Sequence, residues 1–277
     1  MSAPDAHTPP ASPASPTWDP QQYLRHADHR TRPFADLLAR VQGDPARIAD
    51  LGCGAGNVTA LLAERWPKAR ITGYDNSPQM LEKAAAHATD RLDFAPADAA
   101  TWTPAEPFDL IVSNALLQWV PGHTDRFPDW LAALTPGGTF AFQVPGNFDA
   151  PSHVLMRELA ESARWRDRLG GVLRHGDPVH TPAVYLERLA GLGCRVDAWE
   201  TTYLHVLSGE DPVLDWVKGT ALRPVLTALA GDQAGRDEFL TEYAGLLREA
   251  YPATGYGTVL PFRRVFVVAV TQSRLPG

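Results

Sequence analysis

Apolar residues in "TRPFADLLARV" recur at helical spacing, whereas the next apolar run, "RIADLG", is too short for a helix and predicts a first strand. Helical spacing returns in "NVTALLAERWP", which Pro67 stops. "RITGYDNS" predicts a second strand, "PQMLEKAAAHA" a helix opening at Pro78, and "LDFAPADAA" a third strand. "FDLIVSNALLQWV" opens as a fourth, buried strand, and "GGTFAFQVPG" is a fifth. Strands alternating with helices predict βαβ units and a parallel, doubly wound α/β sheet.

After about residue 150 the rhythm changes. "SHVLMRELAESARW" has helical spacing, "AVYLERLAGLG" is a helix with a glycine stop, and "CRVDAWETTYLHVL" alternates like a long strand. Residues 211–250 read as helical, and "RVFVVAVTQ" closes the chain as a strand. The late helical segments, about 147–182 and 209–252, fall between sheet elements. They predict a helical lid on one domain spanning 18–277 rather than a separate domain. The start, "MSAPDAHTPPASPASP", has neither the basic nor the apolar part of a secretory signal, and its Pro, Ala and Ser predict a disordered tail over 1–17.

Composition narrows the function. The chain has 277 residues, is 44% hydrophobic and carries a formal charge of −7, which disfavours nucleic acid as a partner. Its two cysteines, Cys53 and Cys194, form neither a metal-ligand spacing nor a disulfide framework. No apolar run reaches ~18 residues, so no membrane helix and a cytoplasmic location are expected.

The candidate chemistry starts in "RIADLGCGAGN", where an acid, Asp50, precedes three glycines two residues apart, Gly52, Gly54 and Gly56. In a doubly wound fold the loop after the first strand meets a helix N-terminus, and glycines there let a ligand approach the backbone. The spacing departs from the dinucleotide pattern G-x-G-x-x-G, which makes a nicotinamide cofactor a weaker reading. Asp75 ends the second predicted strand, where a carboxylate can accept both hydroxyls of an adenosine ribose. Asp98 ends the third, beside Ala99, a setting suited to an adenine amino group.

"ADLGCGAGN", "GYDNSPQML", "PADAATW" and "FDLIVSNALLQWV" resemble the successive motifs of class I S-adenosylmethionine-dependent methyltransferases, over roughly residues 45–145. The resemblance implies a seven-stranded sheet, its last strand antiparallel, with S-adenosylmethionine at the switch point. By position it puts Asp50 and Gly52 at the methionine end, with Cys53, Gly54 and Gly56 in the loop. It puts Asp75 on the ribose, Asn76 and Met80 beside adenine, Asp98 and Ala99 at the adenine edge, and Asn114 and Gln118 near the methionine portion. The flanks, "WDPQQYLRHADHRTRPFADLLARV", "HVLMREL", "TTYLHVL", "DWVKGTALRPVL" and "FRRVFVVAV", are similar to the bacterial trans-aconitate methyltransferases from Trp18 onward. That family implies methyl transfer to a carboxylate of trans-aconitate. Two departures stand out: the Pro-rich tail, and Gly146 where the family pattern has an acid.

A tricarboxylate is fully ionised near neutral pH, so an acidic protein needs a local cationic pocket. Within the matched segments the candidates are Arg32, Arg157, Arg223 and Arg264, with Tyr203, His153 and His205 as hydrogen-bonding groups. Each also has a structural reading: Arg32 solvated at a helix start, Arg157 paired with Glu161, Arg223 holding a loop, Arg264 an edge-strand charge beside Arg263. Both histidines read equally well as structural. A carboxylate is already a nucleophile, so no general base and no metal are expected, and positioning falls to Tyr203, His153 and His205. The arginines are expected on the carboxylates that do not react, with Tyr203 or a backbone amide on the one that does. Trp119 and Trp216 are candidates for excluding water. Three readings stay open: a different small acid; a hydroxyl or carbon acceptor, which would need a histidine base and a pH–rate profile rising near pH ~6–7; or a protein that binds S-adenosylmethionine without catalysis.

Overall fold

The computed structural model describes residues 27–173 and 179–272. The tail expected over 1–17, and the start of the matched stretch at Trp18, lie outside the described residues. Helix α1 (Ala27–Leu38) leads into β1 (Arg47–Leu51), α2 (Thr59–Arg65), β2 (Arg70–Asp75), α3 (Pro78–Ala84), β3 (Leu92–Pro96) and β4 (Phe108–Asn114). There follow α4 (Phe127–Ala132), β5 (Leu134–Pro145), α5 (Pro151–Ala160), α6 (Arg166–Leu169), α7 (Pro182–Gly191) and β6 (Arg195–Leu207). The chain closes with α8 (Pro212–Lys218), α9 (Arg223–Ala228), α10 (Gln233–Ala250), a two-residue strand β7 (Ala253–Thr254) and β8 (Gly257–Val270).

The long strands form one sheet in the order β3-β2-β1-β4-β5-β8-β6, and β7 pairs only with β8. From β3 to β5 all neighbours are parallel, while β8 runs antiparallel to both β5 and β6. This is the expected seven-stranded sheet with its last strand reversed. The strand order turns back beside β1 and β4, so their carboxyl ends open a crevice.

Three expected boundaries move. The third strand ends at Pro96, which leaves Asp98 in the following loop. The last strand begins at Gly257, seven residues before the start of "RVFVVAVTQ" at Arg264. There β8 pairs with β6 beyond the end of β5, and Pro261 sits where a missing N–H is tolerated. The helical stretch 211–250 is three helices, broken near Gly219 and Gly231, with Asp232 capping α10 through a bond from Gly235 N.

Side chains alternate across the sheet and build two cores. Ile48, Leu110, Val112, Ala141, Phe266 and Val268 pack beneath Phe34 and Leu37 of α1. Leu51, Ile111, Phe140, Phe142, Val265 and Val267 pack on the other face with Trp130 and Tyr185. The helices after β5 make a third core of their own around Trp165, Trp216, Phe239 and Tyr243, which also takes in Leu207 of β6 and Leu260 of β8.

Candidate active site

The loop after β1 is tied to β2: Gly52 N and Cys53 N both donate to Tyr74 O, at 2.8 and 3.0 Å. Its three glycines have φ of +79°, +55° and +81°, a region that strains any side chain. Their surroundings differ. A Cβ on Gly52 would lie 2.7 Å from Leu116, and one on Gly56 2.9 Å from Phe94. A Cβ on Gly54 would meet nothing within 4 Å. So Gly52 and Gly56 let the protein pack on itself, and Gly54 alone faces open space. The Cys53 side chain turns inward onto Gly73 of β2, and burial pushes its thiol pKa up.

Asp50 is fully buried. Thr59 Oγ1 donates to its Oδ2 at 2.6 Å, while its buried Oδ1 has no hydrogen bond among the described residues. Burial, only partly offset by Thr59, pushes its pKa up to about 7, with the negative charge of Asp75 adding to the effect. Asp75 is half-buried and already bound by backbone amides: Gly54 N donates to Oδ2 at 2.9 Å and Ser77 N to Oδ1 at 2.8 Å. Burial raises its pKa against those bonds. Each oxygen keeps a second lone pair for another donor. Asn76 is exposed next to it, and Met80 is buried in the first turn of α3, where Ser77 caps the helix. Asp98 is exposed and accepts from Ala100 N at 2.9 Å in a local turn, with Ala99 buried behind it.

At the carboxyl end of β4, Asn114 is followed by Ala115 with φ +57°, the one non-glycine with positive φ among the described residues. Ala115 N donates to Gln143 O at 2.9 Å, and the Gln118 amide donates back to Ala115 O. A left-handed alanine at a strand end is the kind of strain that gathers at functional sites. Gln143, directly across from Asn114 on β5, donates from Nε2 to Asn114 Oδ1. Arg264 of β8 donates from Nη1 to Gln143 Oε1 at 3.2 Å, and its guanidinium lies 4.5 Å from the Phe262 ring centroid. Arg264 is only 5% exposed. It is no edge charge, because β8 lies between β5 and β6.

The other acceptor candidates divide. His205 stacks on Trp216 with centroids 4.7 Å apart and on Tyr203 at 6.2 Å, and Phe262 lies 5.6 Å from Trp216. Tyr203, His205, Trp216, Phe262 and Arg264 thus form one connected group between the sheet end and the helices. The Tyr203 hydroxyl, expected as a donor to the reacting carboxylate, instead donates to Asp36 Oδ2 at 2.6 Å. Burial and that bond raise its pKa. Arg32 is ion-paired with the same Asp36 at 4.0 Å and lies over the Tyr203 ring, its side chain 72% exposed. Arg32 lies inside α1 rather than at its start, and the i,i+4 spacing brings it to Asp36.

Arg157 and His153 sit together on α5. Burial, and then the charge of Arg157, lower the His153 pKa to about 4, so it is neutral at neutral pH. Glu161 does not pair with Arg157; it accepts from Gly171 N at 3.1 Å. Arg223 is half-buried and begins α9, in the helical layer. Trp119 is half-buried in the turn after Ala115, next to the Gln118 amide. Gly146 makes room for Arg263, whose Nε donates to Gly146 O at 2.7 Å; a Cβ there would lie 2.8 Å from that nitrogen.

Sequence reasoning missed Thr59, Leu116, Gln143, Asn147 and Phe262. Gln143 had a usable signal, a lone polar residue in the buried run "TFAFQVP". Asn147 is buried with Oδ1 unbonded among the described residues, and nothing in its local sequence marks it. Among the described residues no cluster of His, Cys, Asp and Glu is arranged to hold a metal, and no helix is long and apolar enough to cross a membrane.

The strand order, the glycine loop and the acids at the strand ends define a class I S-adenosylmethionine-dependent methyltransferase. A methyltransferase-domain family model matches residues 48–138. The fold is shared with the YcgJ protein of Bacillus subtilis (TM-score 0.58, 13% identity, 88% of this chain and 99% of that one). It is shared too with a phosphoethanolamine N-methyltransferase of Haemonchus contortus solved with S-adenosylhomocysteine (TM-score 0.52, 17% identity, 87% of this chain and 53% of that one). The curated relatives are far nearer. The trans-aconitate 2-methyltransferase of Streptomyces avermitilis is 72% identical, covering 92% of this chain and 97% of its own. That of Streptomyces coelicolor is 67% identical, covering 92% and 87%. The chain belongs to the trans-aconitate 2-methyltransferase family.

Proposed function

We propose that this protein transfers the methyl group of S-adenosylmethionine to a carboxylate of trans-aconitate, giving the monomethyl ester and S-adenosylhomocysteine. One observation carries the reading: the 72% identity to a trans-aconitate enzyme spans 92% of the chain, including the helices after β5 as well as the common core.

The residues suit the methyl donor. The unbonded, buried Oδ1 of Asp50 calls for a donor, and an α-ammonium supplies one. Gly54 leaves the loop's outer side open, and Asp75 keeps lone pairs for ribose hydroxyls. Asn76, Met80, Asp98 and Ala99 border the adenine end, with Asn114 and Gln118 at the methyl end. S-adenosylmethionine supplies an electrophilic methyl on a sulfonium, and the rest is positioning.

The acceptor oxygen attacks as a carboxylate, without a base. His153, with a pKa near 4, is already neutral at neutral pH and has no titration there to lend. Arg264 grips a carboxylate that does not react, and Arg157 and Arg223 reach it from the helical layer, which acts as a lid over the crevice. Attack neutralises charge, so a dry crevice walled by Trp216, Phe262 and His205 favours it. Reaction in the cytoplasm, where small tricarboxylates are dissolved, fits this chemistry.

The test is turnover of a panel of tricarboxylates with methyl-labelled S-adenosylmethionine and identification of the ester. Esterification of a different acid, with trans-aconitate untouched, sinks the substrate assignment and leaves the fold and donor in place.

A further inference from the structure

Asn114, Gln143 and Arg264 come from three adjacent strands, share one face of the sheet and are joined in series by hydrogen bonds. They are 8%, 1% and 5% exposed, so no water competes freely for these bonds. The order of donors and acceptors along the series is forced. A guanidinium has only donors and keeps its proton at every pH of interest. Facing Arg264, Gln143 must present Oε1, so its NH2 faces Asn114. Asn114 must then give its oxygen to Gln143, and its own NH2 is turned away from the series. The bond that ties Asn114 into the series uses its oxygen alone, which leaves Nδ2 for a partner outside the series.

We infer that Gln143 is a positioning residue for acceptor specificity: coupled to Arg264, it holds Asn114 with its amide NH2 toward the crevice, where it donates to the carboxylate oxygen that attacks the methyl group. This rests on the proposed methyl transfer to a carboxylate. It resolves a difficulty in that chemistry. A guanidinium on the reacting carboxylate would lower its nucleophilicity, whereas a neutral amide orients it with a weaker pull. Arg264 therefore acts twice, gripping one carboxylate and setting, through Gln143, the neutral donor that meets another. With Tyr203 committed to Asp36, Asn114 takes the place of the neutral donor expected from the sequence. The strained Ala115 fixes the backbone immediately after Asn114 and so the direction in which its side chain leaves the strand.

Glutamate and methionine at position 143 separate this from a structural role. Gln143→Glu keeps both bonds, since a carboxylate accepts from Arg264 and from Asn114. It does so by reversing Asn114, whose carbonyl then faces the substrate. Gln143→Met keeps the shape and loses both bonds without forcing the reversal. A merely structural glutamine makes Met the worse variant. The relay makes Glu worse: KM for the acid rises at least about tenfold for Glu and roughly threefold for Met, because a buried acceptor facing a carboxylate is costlier than a lost bond. S-adenosylmethionine affinity by calorimetry stays within about threefold in both, and this also shows that the variants are folded.

A double-mutant cycle removes the remaining ambiguity, that glutamate acts only by neutralising Arg264. Asn114→Ala should lower kcat/KM at least about tenfold in the wild type and less than about twofold in the Gln143→Glu background, where the asparagine already faces the wrong way. An equal loss in both backgrounds overturns the relay, as does a Met variant worse than Glu. The wild type is run first on the tricarboxylate panel. If it esterifies an acid other than trans-aconitate, the substrate assignment fails and the cycle is read with that acid. If it esterifies none, both fail.

Discussion

The two halves of the crevice are built on opposite plans. The donor half, β1 to β4, leans on backbone: Asp75 is fixed by the amides of Gly54 and Ser77, and the glycine loop by the carbonyl of Tyr74, with the Thr59 bond to Asp50 as its side-chain exception. The acceptor half, β5, β6, β8 and the helices, holds its charge with side chains: Arg264 by Gln143 and Phe262, Tyr203 by Asp36, His205 by Trp216. Backbone contacts depend on where a loop passes, so they tolerate many side chains and suit one ligand shared by many reactions. Side-chain contacts depend on residue identity and suit an acceptor that differs between enzymes.

The largest test of that contrast separates two glycines of one loop. Gly52→Val puts a side chain against Leu116 at a φ of +79° and should destabilise the fold by about 3–5 kcal/mol, read as the unfolding midpoint. Gly54→Val meets no protein atom, so strain alone should cost about 1–2 kcal/mol. Its main effect should be loss of S-adenosylmethionine binding in calorimetry. A Gly54 variant that binds normally means the donor does not cross that loop.

In the acceptor half, Arg264→Leu should cut kcat/KM for trans-aconitate by roughly a hundredfold, about 3 kcal/mol, with S-adenosylmethionine affinity nearly unchanged. Arg264→Lys should recover part of this, since an ammonium cannot reproduce the fork. The mirror-image variant is Asp75→Ala. It should weaken S-adenosylmethionine by about 2 kcal/mol and leave KM for the acid alone at saturating donor. If either variant strikes both ligands equally, the two halves are not separate.

The same contrast explains what the sequence made legible. The strands and the donor half follow from local pattern: an apolar run, its glycines and the acid after each strand sit within a few residues of one another. The acceptor half is assembled from positions far apart. Asp36 reaches Tyr203 across 167 residues and Gln143 reaches Arg264 across 121, and no periodicity encodes such a pairing. Hence Tyr203 read as a substrate donor when its hydroxyl was already taken, and Arg264, a substrate candidate, kept an edge charge as its second reading because the place of β8 between β5 and β6 is set by pairings between distant segments. Gln143 was visible as a polar residue in an apolar strand, but what it served depended on its two neighbours in the sheet.

A smaller effect comes from pH. Asp50 has its pKa raised to about 7 by burial, so below that pH the folded protein holds a proton there. For a carboxylate raised in the folded state, stability from this group is present at low pH and is lost as pH rises from the unfolded value of 3.8 through about 7. Donor binding has the opposite slope, because an ammonium pairs with the ionised form. S-adenosylmethionine affinity should rise with pH by up to about 1.4 kcal/mol per unit below pH 7 and level off above it, with a proton released on binding at pH 6. Asp50→Asn should abolish both the slope and the released proton. A slope unchanged in that variant assigns the proton to another group.

The smallest expected effect decides where the acceptor's cationic contact lies. Arg32 and Arg264 were equal candidates by residue type, but one is 72% exposed at the side chain and paired with Asp36, and the other is 5% exposed and held by Gln143. An exposed arginine competes with water for a carboxylate and already has an anionic partner, so little of its attraction is left for substrate. Arg32→Ala should change stability by less than about 0.5 kcal/mol and kcat/KM by less than about twofold. Asp36→Ala makes the sharper control. It frees the Tyr203 hydroxyl and Arg32 together; if the acceptor contact is buried, kcat/KM should still move by less than about threefold. A tenfold loss in the Arg32 variant at saturating S-adenosylmethionine would shift the grip to the outer rim of the crevice, and the division between a backbone-built donor half and a side-chain-built, buried acceptor half would have to be redrawn around α1.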